Sequence, residues 1–254
     1  MQRYFFKDNS CLNKELNRVI INDKENVHHI KNVMRMKTGD KLIVCTNDCF
    51  EYLCQIDSIT NCVDLKVIEK YENNNELKAD ITIAQGLVRR EKKEEVIRRL
   101  VELGAYKYIP VEMERSIVHL NKYNENIDRI NTIIKECSEQ SERGKLMICN
   151  EAISFKKFLS EIDYDYKFVC YEESGRSNEH SLKDYLFKLN SNNGVNKKIL
   201  VLVGPEGGIS NKELELLESN GFIKIGLGKR ILRTETAPLY ICSVLGYGVE
   251  FYED

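Results

Sequence analysis

The sequence predicts an α/β protein in two parts: a small N-terminal β-rich domain and a larger C-terminal domain on a mostly parallel sheet. Three observations predict this. Residues 1–70 contain short β-favouring runs separated by polar turns. From residue 81 onward, strand-like and helix-like segments alternate. The most apolar strand, residues 197–204, runs directly into Gly-Pro-Glu-Gly-Gly. The boundaries follow as 1–70 for the first domain, 71–80 for a polar, Asn-rich linker, and 81–254 for the second domain.

In the first part, the runs 41–45, 50–56 and 62–68 read as strands, with Thr38-Gly39-Asp40 as a turn before them. One short helix interrupts the block. Asp23 caps it, and Val27, Ile30, Val33 and Met34 form its apolar face. In the second part, 81–87 is a strand and 92–104 a helix with Val96, Ile97, Leu100 and Leu103 on one face. Glu94–Arg98 and Glu95–Arg99 are spaced for ion pairs on the other face, and Gly104 ends the helix. Strands at 106–111, 145–149, 166–171, 197–204 and 222–228 follow. They alternate with helices at 124–140, after a Ser154 cap, and at 237–251.

Composition excludes several classes. At 42% hydrophobic and 31% charged, the chain is neither disordered nor membrane-spanning. It has no window near the roughly 18 apolar residues of a membrane helix, and no signal-peptide core at its start; a cytoplasmic protein is expected. The nine cysteines lack a C-x-x-C pair and zinc-ligand spacing with His28, His29, His119 or His180, so they read as reduced core residues and no metal is expected. The net charge of −2 does not announce a nucleic-acid binder, so local clustering has to carry that case.

Two loops carry chemistry. After Ile199–Val203, Gly204 and Gly207-Gly208 allow close backbone approach, and Ser210 with Glu213 forms a capping box that starts a helix. Strand, glycine loop and helix N-terminus at the carboxyl end of a central strand is where ligands bind in open α/β sheets. The G-x-G-x-x-G and G-K-[ST] fingerprints are absent, which disfavours a nicotinamide oxidoreductase, and Glu206 would repel a phosphate. A neutral or cationic ligand suits the loop. The second loop, 227–239, sets Lys229, Arg230 and Arg233 beside Thr234, Glu235 and Thr236. Alone it reads equally as a basic loop with Thr caps; following the first, it points to one shared pocket.

Together, "VGPEGG" (203–208) and "LGKRILRTETA" (227–237) resemble the signature loops of the SPOUT class of methyltransferases, and most closely the RsmE family of 16S rRNA uridine-N3 methyltransferases. "RRLVELG" (98–104), "MERS" (113–116), "ECSEQSERG" (136–144) and "HHIKNVMRMKTGD" (28–40) are similar to weaker motifs of that family, so the resemblance spans nearly the whole chain. It implies a trefoil knot in the C-terminal domain, one of the rare exceptions to unknotted topology. It also implies a PUA-like β-barrel that helps hold RNA, S-adenosyl-L-methionine (SAM) as methyl donor, and a homodimer with the active site near the partner subunit. The implied substrate is a uridine in the decoding region of 16S rRNA, position 1498 in the usual numbering, within free rRNA or the 30S subunit. Pro238 fits such a chain only in the first helical turn.

The donor-binding residues expected are Leu202, Gly204, Pro205, Glu206, Gly207, Gly208, Leu227, Gly228, Ile231, Leu232, Thr234 and Thr236, which offer apolar surface and backbone partners. Uracil N3 must lose its proton before methylation. Arg233 is the candidate to favour the resulting anion, and Glu235 the candidate general base. Glu235 reads as readily as a first-turn helix stabiliser. RNA contacts are expected from Arg3, Lys7, Arg35, Arg89, Arg90, Arg115, Arg143 and Arg230, with Lys31, Lys37, Lys92 and Lys93 nearby; each charge also reads as a solvated surface residue. A 2′-O-ribose methyltransferase and a non-catalytic RNA-binding assembly factor are the alternatives.

Overall fold

The computed structural model describes the chain except residues 7–8, 14–16, 121–122, 124–126, 178–181, 183–184, 187–196 and 251–254. Lys7, the start of the helix expected at 124 and the end of that expected at 251 lie outside the described residues. The chain divides into two compact units, Met1–Glu76 with Ser138–Leu146, and Leu77–Cys137 with Met147–Asp254.

In the first unit the strands are β1 (Arg3–Phe5), β2 (Leu12–Asn13), β3 (Arg18–Ile21), β4 (Lys41–Cys45), β5 (Phe50–Ile59) and β6 (Val63–Glu72). They form one sheet in the order β1-β4-β5-β6-β3-β2, antiparallel except for β1 on β4. Register shifts in β5, at Leu53/Cys54 and Ile56/Ser58, break the ladder where the sheet curls. Tyr4, Val19, Ile21, Ile30, Leu42, Val44, Ile56 and Leu65 fill its core.

Asp23 does cap α1 (Lys24–His28), accepting from the Asn26 N–H. The helix then widens into a π turn over His29–Val33, closed by the Met34 N–H on the His29 carbonyl at 2.8 Å. The wider turn rotates later residues off the apolar stripe. Ile30 is buried, but Val33 and Met34, expected on that face, are 57% and 44% exposed.

Arg3 and Arg143, expected to contact RNA, are instead buried. Arg3 donates to Glu51 and lies 3.5 Å from Glu142. Arg143 grips Glu76 through Nε at 3.2 Å and Nη2 at 2.6 Å, and Glu76 also accepts from the Gly144 N–H. A guanidinium withdrawn from water is tolerable only with its carboxylates in place, so neither is available to a phosphate. Strand occupies both ends of the polar stretch 71–80. Between them Asn73 and Asn75 donate to the Glu142 carbonyl, bonds that a sequence pattern does not announce.

The second unit holds β7 (Ala79–Gly86), β8 (Lys107–Glu112), β9 (Ile148–Cys149), β10 (Ile153–Ser154), β11 (Tyr166–Cys170), β12 (Lys197–Val203) and β13 (Ile223–Ile225). The sheet order is β10-β8-β7-β12-β11-β13, with β9 on β8, and every described pairing is parallel. Ile199–Val203 are buried, as a strand covered on both faces requires. The strands expected at 145–149 and 222–228 are shorter than predicted. On α2 (Arg90–Glu102), Val96, Ile97, Leu100 and Val101 are buried, and Gly104 follows with φ +80°. The predicted ion pairs are replaced: Glu94 meets Arg90 and Arg129, and Arg99 meets Glu102. The helices α3 (Ile127–Gln140, whose end belongs to the first unit), α4 (Phe155–Ser160), Glu172–Ser177, Asn211–Ser219 and Ala237–Glu250 complete the described framework. Ser154 caps α4, and Pro238 lies in the first turn of the last helix. Among the described residues no helix is long and apolar enough to cross a membrane, no cluster could hold a metal ion, and no disulfide joins the nine cysteines.

Glu76→Ala would leave Arg143 buried without its carboxylate. We expect a loss of about 3 kcal/mol, read as a lower denaturant midpoint, with Arg143→Met in the same chain recovering much of it. An unchanged midpoint in Glu76→Ala would refute the pairing's importance.

Candidate active site

Three loops leave the carboxyl edge of the parallel sheet and meet there: those after β7, β12 and β13. Their meeting is set by sequence-distant polar groups. Gln85, fully buried near the end of β7, accepts from the Tyr108 hydroxyl at 2.8 Å. Its amide donates to the Thr234 carbonyl at 2.6 Å and to Thr234 Oγ1 at 3.2 Å. Thr234 in turn donates to the Gly204 carbonyl at 2.7 Å. A buried amide without partners is costly, so Gln85 fixes both C-terminal loops against the sheet. At Gly86 the two backbones run too close for a side chain: a Cβ there would stand 2.4 Å from Pro205 Cδ and from Pro205 N. The loop after β12 turns tightly, with the Gly208 N–H on the Pro205 carbonyl at 2.9 Å and Gly208 at φ +74°.

The helix Asn211–Ser219 starts at the end of that loop through the predicted capping box, Ser210 with Glu213. The segment "MERS" braces it. The Glu114 N–H donates to Glu213 at 2.7 Å, and Ser210 Oγ donates to Glu114 at 2.8 Å. Arg115 reaches the Gly207 carbonyl at 3.4 Å.

At the loop tips Lys92, from α2, lies 3.4 Å from Glu206 and 3.1 Å from Glu235. Partial burial pushes the Glu235 carboxyl up, but its own backbone N–H, Lys92 and then Arg233 outweigh that and hold it below its ordinary value. Glu235 is therefore ionised at neutral pH. The stability it contributes is present above the ordinary carboxylate range and is lost as pH falls through the lowered value.

The predicted donor residues come together, but with different exposures. Leu202 is fully buried in the sheet core beside Ala84, so its side chain is not open to a ligand. Pro205 and Thr234 are buried; Gly204, Gly208, Leu227 and Leu232 are half-buried; Glu206, Gly207, Gly228, Thr236 and Ile231 (65%) are exposed. Arg233 is exposed and Glu235 half-buried. Of the expected RNA contacts, Arg89 and Arg90 follow β7, Arg115 follows β8 and Arg230 follows β13, all exposed at this same edge. Arg35 is exposed in the first unit at φ +52°. Gln85, Tyr108 and the clasp role of Lys92 escaped sequence reasoning. A glutamine and a tyrosine inside apolar strands were the available signal, since a buried amide needs partners.

The arrangement suits a compact ligand with a flat apolar group and a positive charge. Exposed backbone and Leu227, Ile231 and Leu232 offer the apolar surface, and the carboxylates of Glu206 and Glu235, with Lys92 between them, stand beside it. These features fit SAM, whose sulfonium is cationic.

Known proteins agree with this reading. The RNA methyltransferase domain family matches residues 75–246, and the RNA methyltransferase PUA domain matches residues 21–61. The chain is 39% identical to ribosomal RNA small subunit methyltransferase E of Bacillus subtilis, covering 98% of both chains. A methyltransferase-like protein of Legionella pneumophila, solved with SAM bound, is 25% identical with a TM-score of 0.80 and 96% of each chain covered. The corresponding Neisseria gonorrhoeae enzyme, also solved with SAM, shares the fold at 24% identity with a TM-score of 0.81 over 96% of each chain. The α/β fold with a mostly parallel sheet and a curled PUA-like sheet is thus the one these methyltransferases share. With its fold, its loops and its relatives in agreement, the chain belongs to the RsmE family of small-subunit ribosomal RNA methyltransferases.

Proposed function

We propose that this protein transfers a methyl group from SAM to N3 of a uridine in 16S rRNA, in the decoding region of the small subunit. SAM-dependent methylation of that RNA is the family's reaction; the N3 position, the 30S particle as substrate, a homodimeric enzyme and a cytoplasmic setting are our reading. One observation carries it most. The three interlocked loops sit within a set of exposed cations, Arg89, Arg90, Arg115, Lys229, Arg230 and Arg233, contributed after three different strands. A chain with net charge −2 has concentrated positive charge where the glycine loops open. The trefoil knot implied by the family resemblance is part of the same reading.

Bound SAM supplies an electrophilic methyl carbon. The residues prepare the acceptor. Arg233 faces outward from the second loop and stabilises the uracil anion, whose charge spreads over O2 and O4. Glu235, kept ionised, accepts the N3 proton; the N–C bond forms as the sulfur–carbon bond breaks. Thr234, bonded to Gln85 and Gly204, keeps these two neighbours at a fixed height above the sheet. The exposed arginines hold phosphates.

Methyl-labelled SAM offered with small subunits lacking the modification, and separately with free 16S rRNA, should place label in 3-methyluridine and favour particles. Label in a 2′-O-methyl nucleoside would overturn the N3 assignment. Label in no nucleoside, despite SAM binding, would overturn this RNA as substrate. Arg233→Ala should lower methyl transfer about 100-fold while leaving SAM affinity within experimental scatter; equal loss of both would make Arg233 a donor-pocket residue. Arg89→Ala and Arg230→Ala should each reduce the salt dependence of RNA binding, lowering the slope of log affinity against log salt by about 0.7–0.9. Unchanged slopes would remove these residues from the RNA footprint.

A further inference from the structure

Lys92 occupies the first turn of α2, a helix that buries Val96, Ile97, Leu100 and Val101. Its ammonium reaches carboxylates on two separate loops, Glu206 Oε1 at 3.4 Å after β12 and Glu235 Oε2 at 3.1 Å after β13. The three side chains are 34%, 21% and 19% exposed, so the cluster is shielded but open to solvent on one side. Below it, Gln85, Thr234 and Gly204 fix the stems of the loops. At the tips carrying Glu206 and Glu235, Lys92 is the side-chain tie between these two loops among the described residues. Two like charges brought this close would repel without it.

We propose that Lys92 is a positioning residue for methyl transfer: by bonding Glu206 and Glu235 together it sets the spacing of the two donor loops and the place of the Glu235 carboxylate. Lysine suits the task, because a compact ammonium with three donors can serve two carboxylates, whereas a planar guanidinium pairs best with one. The groups acting on Glu235 are Lys92 from α2, Arg233 from its own loop and, through the shared ammonium, Glu206, which Tyr123 faces in turn. The clasp also reassigns part of the basic cluster after β7. Arg89 remains for RNA, Arg90 is paired with Glu94, and the charge of Lys92 is spent inside the site. The functional part of this inference rests on the role given above to Glu235; the geometric part does not.

The test compares wild type, Lys92→Met and Lys92→Arg with two readouts that use no RNA. The first is the titration midpoint of the Glu235 carboxyl in donor-free protein, followed by carbon NMR and assigned with Glu235→Gln. The second is SAM affinity by calorimetry. Lys92→Met should raise the Glu235 midpoint and weaken SAM binding about tenfold, and Lys92→Arg should restore the midpoint while recovering affinity in part. The acid limb of the methyl-transfer pH profile should move to higher pH in Lys92→Met. Wild-type midpoint and affinity in Lys92→Met would overturn the clasp. Weakened SAM binding with an unmoved midpoint would also overturn it, reducing Lys92 to a packing residue. Because neither primary readout involves the acceptor, a wrong nucleotide assignment would leave them intact and be seen only in the labelling experiment.

Discussion

The second unit depends on satisfying one buried amide. Gln85 ends a strand whose neighbours are apolar, and it has no exposure through which water could serve it. Its carbonyl oxygen is met by Tyr108 and its amino group by Thr234, 149 positions later. Removing either partner would leave a polar atom dry, at a cost of about 1–3 kcal/mol. That penalty chooses among the ways a glycine-rich loop can lie, and it chooses the one in which Gly204 and Thr234 are bonded. The permissive backbone of the loops is thus disciplined by an unpermissive neighbour.

What could be read from the sequence was whatever is decided within a few residues. Asp23, Ser154 and the Ser210–Glu213 box cap helices as expected, because a cap and its N–H partner are three positions apart. The central strand and both glycine loops were legible for the same reason. Long-range pairing was not. Arg3 and Arg143 look like surface cations until Glu51 and Glu76 are placed beside them, 48 and 67 positions away. The apolar face predicted for Val33 and Met34 assumed a regular helix, and one π turn was enough to rotate it outward. Within the candidate site, residue types were readable and their division of labour was not. Lys92 and Arg90 are near neighbours of one charge, yet one clasps two loops and the other meets Glu94.

Charge illustrates the same separation of scales. The whole chain is nearly neutral, so its long-range field would neither attract nor repel RNA strongly. Over the Debye length of roughly 8–10 Å at ordinary salt, only nearby charges matter. The exposed arginines at one edge of the sheet therefore set a local positive field, with Glu206 and Glu235 tied to Lys92 inside that edge.

The make-up of the first unit has a consequence for how the chain is made. Its curled sheet is encoded before residue 77, but Glu76, Asn73 and Arg3 find partners in residues 138–146. During synthesis the N-terminal third emerges with carboxylates and amides waiting for a segment not yet translated. Until Arg143 has left the ribosome, the buried charges of this unit have no complete set of partners. Completion of the first unit is thereby delayed until residue 143 has emerged, and a fragment cut at the polar stretch after β6 would be missing a part of its own core.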